Sequence, residues 1–217
     1  MRYLSLFLLL FSFGCASSPD AASDLSDMER LYWERQREAM SRYTQAEVDF
    51  MTGMIGHHAQ ALIMSDLAAT NGASSSIQIL AARIINAQND EIATMQRWLR
   101  DREEPVPEVH IDGLMLMIHI PGAEEGHGHH MMPGMLTQEQ LEELAAAQGP
   151  DFDRLFLTYM IAHHKGATTM VDEMFAQDGA GNDEAAFKLA SDIHADQSTE
   201  IARMELMLEG MGSSDAN

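Results

Sequence analysis

FMTGMIGHHAQALIM, residues 50–64, recurs as FLTYMIAHHKGATTM, residues 156–170, and each copy sets two adjacent histidines inside a methionine-bearing stretch of helical period. At about 100° per residue, Phe50, Met54, His57, Ala61 and Met64 fall within about a quarter of a helix circumference, as do Phe156, Met160, His163, Ala167 and Met170. One histidine of each pair therefore faces inward. Its neighbour, His58 or His164, sits on the flank of the stripe, beside Met51 in the first copy and Leu157 in the second.

The repeat extends to helix pairs. Gln88, Glu91, Ile92 and Met95 recur as Gln197, Glu200, Ile201 and Met204 at an offset of 109, against 106 for His57 and His163, so the second inter-helix loop is three residues longer. A helical hairpin with one apolar face cannot bury that face alone, so two copies predict an all-α four-helix bundle of two repeated helical hairpins joined by a long irregular crossover. The carboxylates Glu91 and Glu200 fit two roles equally: partners that orient a buried histidine, or members of a solvated helix face.

The boundaries follow from caps and breakers. Residues 1–15 read as a signal peptide: Arg2 opens it, the apolar run Leu4–Phe13 is too short to span a bilayer, and Cys15 follows. Lipidation at Cys15 and simple cleavage to a soluble periplasmic form are both open. Residues 16–43 hold a flexible tether, Ser17 to Ser26, and an N-terminal helix opened by Ser26 with Glu29. The first hairpin, 44–100, opens on Thr44 with Glu47 and turns at Asn71-Gly72. The crossover, 101–136, alternates prolines with glycines and has the pattern of a β-hairpin about Asp112-Gly113. Residues 137–211 carry a short helix capped by Thr137 and Gln140, then helices over 151–177 and 183–208, the last ended by Gly210 and Gly212; 212–217 is a tail.

A formal net charge of −21 with only 13 Lys and Arg excludes a nucleic-acid partner, because phosphates need cationic side chains. Metal cations are the natural ligands. His57, His58, His163 and His164 supply imidazole, and Met51, Met54, Met64, Met160 and Met170 supply thioether at helical spacing, although methionine at that spacing also serves as gap-filling core. A further cluster, His127, His129, His130, Met131, Met132 and Met135, lies in the glycine-rich crossover. His110, His119, Met115 and Met117 alternate in a way that fits metal capture and strand packing equally. One cysteine against 18 methionines points to copper, as Cu(I) and/or Cu(II): thioethers take Cu(I) without deprotonation and survive an oxidising compartment, and imidazoles take both states.

The doubled Met-Ile-x-His-His pattern, the run Met132-Pro-Gly-Met135-Leu-Thr, Phe152-Asp153 and the closing Gln-x-x-Glu-Ile-x-x-Met together resemble the bacterial domain-of-unknown-function family 305 in a two-copy form, over about residues 44–211. The resemblance implies a ferritin-like helical fold. It also implies a periplasmic copper-binding role in copper tolerance, as in members of the CopM type, with ligand roles for His57, His58, Met51, Met54, Met64, His163, His164, Met160 and Met170. The expected function is non-enzymatic: an envelope protein that sequesters or buffers copper, with metal ions and envelope metal-trafficking proteins as partners and membrane association only through a lipid on Cys15. Two other functions fit the sequence, a ferritin-like metal-dependent oxidase holding metals with His57, His163, Glu91 and Glu200, and an interaction module with incidental metal binding.

Overall fold

The structure, a computed structural model, describes residues 19–40, 42–122 and 132–214. The leader with Cys15, and His127, His129, His130 and Met131 of the crossover, lie outside the described residues. The elements are α1 (Pro19–Met40), α2 (Gln45–Asp66), α3 (Ser75–Asp101), β1 (Glu108–Asp112), β2 (Met115–His119), α4 (Gln138–Ala146), α5 (Gly149–Phe175) and α6 (Glu184–Ser214). Helix α1 belongs to a unit ending at Ala39, and residues from Met40 onward form a second unit. The expected tether is helical from Pro19: proline in the first turn loses no hydrogen bond, since that N–H has no intrahelical partner.

In the second unit α2 pairs with α3, α5 with α6, and α2 with α5, which gives the expected four-helix bundle. Two apolar clusters fill it. One gathers the C-terminal half of α2, the start of α3, the start of α5 and Met204 of α6, with Met64, Leu80, Ile84, Phe152, Phe156 and Met160. The other gathers the opposite ends, with Met51, Met54, Ile55, Met95, Trp98, Val171 and Ile193. Between them, α2 and α5 run antiparallel past each other, and the four histidines of the two repeated stretches occupy that level.

Buried carboxylates cross-brace the two hairpins. Glu47, at the start of α2, takes the N–H of Thr44 at 2.6 Å and reaches across to the N–H of Gly181, in the loop before α6, at 3.0 Å. Asp153, at the start of α5, takes the N–H of Ser74, in the loop before α3, at 3.1 Å. Both side chains are buried, and each offers its second hairpin a charge-assisted bond that neither loop finds locally. Asp183 adds to the brace: it caps α6 through the N–H of Ala186 at 2.8 Å and accepts from the indole of Trp98 at 3.0 Å and from Arg102.

The crossover meets the bundle through its hairpin and through residues 132–136. β1 and β2 form the expected hairpin, but its turn is Gly113-Leu114, one residue beyond the expected centre. Asp112 pairs with Met115, and Gly113 at φ 59 supplies the positive torsion that the first turn position requires. Residues 132–136 then lie as a strap across α2 and α5. Gln60 clasps it, accepting from the N–H of Leu136 at 2.7 Å and donating to its carbonyl at 3.0 Å. The fit depends on two glycines: a Cβ on Gly166 would stand 1.8 Å from the carbonyl oxygen of Pro133, and one on Gly134 would stand 2.4 Å from that of Ala162.

Helix α6 runs through Gly210 and Gly212 to Ser214, past the expected stop. Neither glycine takes the positive φ of a helix-ending residue, and Met207, Leu208 and Met211 pack on the core, so tertiary contact carries the last turns. Two substitutions separate these glycine roles. Gly166→Ala is expected to lower the free energy of unfolding by about 1–3 kcal/mol or more, through overpacking against the strap backbone. Gly210→Ala, whose added methyl meets nothing within 4 Å, is expected to raise it by about 0.5–1 kcal/mol. Urea unfolding of the two variants beside the parent checks both signs.

Candidate metal centre

His57 and His58 are carried by α2, His163 and His164 by α5, and all four are fully buried. The rings of His57 and His163 meet across the helix crossing with centroids 3.9 Å apart and planes tilted by 41°. Their neighbours stand farther out, 6.4 Å from His57 to His58 and 6.3 Å from His163 to His164. The flank positions are thus not at an edge. Within the bundle each of these helices has two contact faces, and the flank of the inward stripe is the side that meets the hairpin partner.

There the repeated carboxylates are waiting. Glu91 on α3 lies 2.7 Å from His58 Nε2, and Glu200 on α6 lies 2.8 Å from His164 Nε2. A carboxylate only accepts, so Nε2 carries the proton of each neutral imidazole, and the lone pair of that tautomer lies on Nδ1. His57 follows the same rule by another route, donating Nε2–H to the carbonyl of Pro133 on the strap at 3.0 Å. The Nδ1 atoms of His57, His58 and His164, and both ring nitrogens of His163, are buried without a hydrogen bond. Leaving a polar atom so costs about 1–3 kcal/mol, and unpaired imidazole lone pairs at a helix crossing are what a borderline-to-soft metal ion takes up.

Burial also favours the neutral form of the two central rings, His57 and His163. It pushes His57 from its ordinary value of 6.5 down to about 3, assisted by the neighbouring His58 and opposed by the Pro133 bond. His163 goes well below 6.5 for the same reason, with His57, His164 and His58 adding to the effect and the backbone of His57 opposing it weakly. Asp196 on α6 shifts the other way, raised by burial and then by Glu91, Asp192 and Glu200, so a concentration of negative charge backs the outer histidines.

The thioethers lie on both sides of the histidine level. Met51, Met54 and Met95 are fully buried in one apolar cluster, and Met64, Met160 and Met204 in the other. Met170 is half-buried against the first cluster, where its Cε and the Sδ of Met132 each lie 3.3 Å from where a Cβ on Gly53 would stand, so the strap methionine and the α5 methionine converge there. Met135, also half-buried, closes the strap turn through its N–H to the Met132 carbonyl at 3.1 Å. Among the described residues no three His, Cys, Asp or Glu are grouped to hold a metal ion.

Three participants lie outside the residues singled out from the sequence. The carbonyl of Pro133 bears no side-chain signal. Gln60 lies within the repeated stretch, but its partner Leu136 is distant in the chain. Asp196 was in principle legible, being four residues before Glu200 and so on its helix face.

Residues 47–208 match the family described as domain of unknown function (DUF305). The chain belongs to that family. It is similar to the DUF305 fragment from Deinococcus radiodurans at 27% identity, covering 77% of this chain and 97% of that one with a TM-score of 0.61. Similarity extends to CopM solved in a Cu(II)-bound form, 29% identical with TM-score 0.54, and in a Cu(I)-bound form, 27% identical with TM-score 0.53; each covers 76% of this chain and 96% of CopM. No curated protein matches the chain.

The buried histidines make apo stability depend on pH. A folded-state value depressed below the unfolded one means that the unfolded chain binds more protons in between. The contribution is therefore complete above about pH 6.5 and is lost as pH falls through the window toward about 3. The urea midpoint of metal-free protein is expected to drop steadily from about pH 7 to about pH 5, above the range where ordinary carboxylates titrate. A midpoint that stays level over that interval would mean the rings are solvated.

Proposed function

We propose that this DUF305 protein is a non-catalytic copper-binding protein outside the cytoplasm, which holds copper through imidazole and thioether groups at the crossing of α2 and α5 and so buffers or sequesters it. The observation that carries this function is the set of buried ring nitrogens of His57, His58, His163 and His164 left without hydrogen bonds between two methionine-bearing clusters. Solved forms of CopM with Cu(I), Cu(II) and silver support the choice of ion. The donor chemistry supports it independently, since thioether prefers Cu(I) and imidazole accepts both oxidation states.

His57, His58, His163 and His164 are the nitrogen donors, through Nδ1 wherever Nε2–H is already engaged. Met51, Met54, Met64, Met160 and Met170 are the sulfur donors, with Met132 reaching in from the strap. When bound, copper supplies only a soft cation for these lone pairs. Glu91 and Glu200 hold the outer rings in the tautomer that exposes Nδ1 and raise their basicity. With each of these two carboxylates hydrogen-bonded to a histidine, binding fits the arrangement better than a carboxylate-bridged oxidase centre does. No described helix is long and apolar enough to cross a membrane. Release into the periplasm and tethering by lipid at Cys15 are both compatible with the function.

Cu(I) titration of the purified protein against a competing chelator tests the assignment. Glu91→Gln with Glu200→Gln is expected to weaken binding by about 10–100-fold, the usual range for partners that orient a ligating histidine. His57→Asn with His163→Asn is expected to weaken it more. Affinity unchanged in the histidine variant would overturn the function proposed here.

A further inference from the structure

The crossover hairpin presents two chemically different faces. Its register sets Glu108 opposite His119, His110 opposite Met117, and Asp112 opposite Met115, and all six residues are exposed on one face. The alternate residues Val109, Leu116 and Ile118 are half-buried on the other. Ile118 is the inward anchor: its Cδ1 lies 2.4 Å from where a Cβ on Gly56 of α2 would stand, so it fills the space that glycine leaves. The packing needs of the hairpin are met by that inner face. Met117 at 42% exposure and Met115 at 58% contribute nothing to the core, and strand packing does not account for thioethers placed among histidines on the solvent side.

We propose that this outer face is a second soft-metal site, separate from the buried histidines, in which His110, Met117 and His119 take up one Cu(I) ion from solution. His110 and Met117 are directly opposed, with Cβ atoms about 4.5–5.5 Å apart in such a pair. His119 lies two residues beyond Met117 on the same face and diagonal to His110, within reach of a shared ion for side chains of this length. The donor set is two imidazoles and one thioether. A thioether beside two imidazoles suits a soft monovalent ion better than zinc, whose usual ligands are imidazole, carboxylate and thiolate. Glu108 and Asp112 flank the triad, and with a net charge of −21 on the chain they favour the approach of a cation. The choice of copper rests on the function proposed above; the geometry of the hairpin does not.

The test uses the full chain with 13C-methyl-labelled methionine, titrated with Ag(I) as a redox-inert probe and then with Cu(I) under anaerobic reducing conditions. The Met117 methyl and the His110 and His119 ring signals are expected to shift together, and H110N/M117L/H119N is expected to bind one equivalent fewer than the parent. The shift at Met117 should persist in His57→Asn with His163→Asn, which separates the two sites. Should the hairpin respond while the buried variant binds as many equivalents as the parent and as tightly, the central assignment fails and this one stands. A Met117 methyl unmoved at saturating Ag(I), or a triple variant that binds as many equivalents as the parent, overturns the hairpin site. The parent methyl signal decides the matter even if the triple variant folds poorly.

Discussion

Four imidazoles closed off from water at one helix crossing are the constraint around which this protein is arranged. A buried polar ring demands partners, and the chain supplies some of them from three directions: Glu91 from α3, Glu200 from α6 and the Pro133 carbonyl from the strap. Each partner fixes one nitrogen and leaves the other bare. The apolar clusters on either side exclude the water that might otherwise satisfy the remainder. The two central rings, His57 and His163, held dehydrated in this way, are poor hosts for a proton and good hosts for a soft cation.

The bundle and its central level were legible because the sequence states them twice. A period that returns His57 and His163 to equivalent positions, with Gln-x-x-Glu-Ile-x-x-Met echoed at the other hairpin helix, specifies both the hairpins and their pairing. The sequence left Glu91 and Glu200 open between orienting a buried histidine and facing solvent, and it did not pair them with the flank residues His58 and His164, which they meet. What escaped was set by tertiary contact. His58 and His164 looked peripheral because a single-helix projection has one inward face, whereas a bundle helix meets two neighbours. Gly210 and Gly212 looked like stops because local propensity favours that, but packing by Met207, Leu208 and Met211 overrides it. The strap's role lies in backbone atoms, which composition does not reveal.

The two hairpins make matching contacts and yet are not equivalent. One strap crosses an arrangement that is close to two-fold, so it engages only one of the central rings: His57 has the Pro133 carbonyl, and His163 has nothing. Substitution reinforces the difference, with Met51 facing Leu157 as its counterpart and Ile85 replaced by His194. The ring with both nitrogens bare is therefore in the second copy, while the flank richer in sulfur is in the first. Coordination across the crossing would combine unlike halves rather than duplicate one site.

The cross-bracing by Glu47 and Asp153 bears on what duplication has done to each half. Each hairpin opens with a buried carboxylate that accepts a backbone N–H from the loop of its sibling. Cut apart between the strands of the crossover, neither fragment could retain its interior without stranding a charge. Mixed again, the fragments are natural complements, which makes this chain a candidate for split-protein reconstitution.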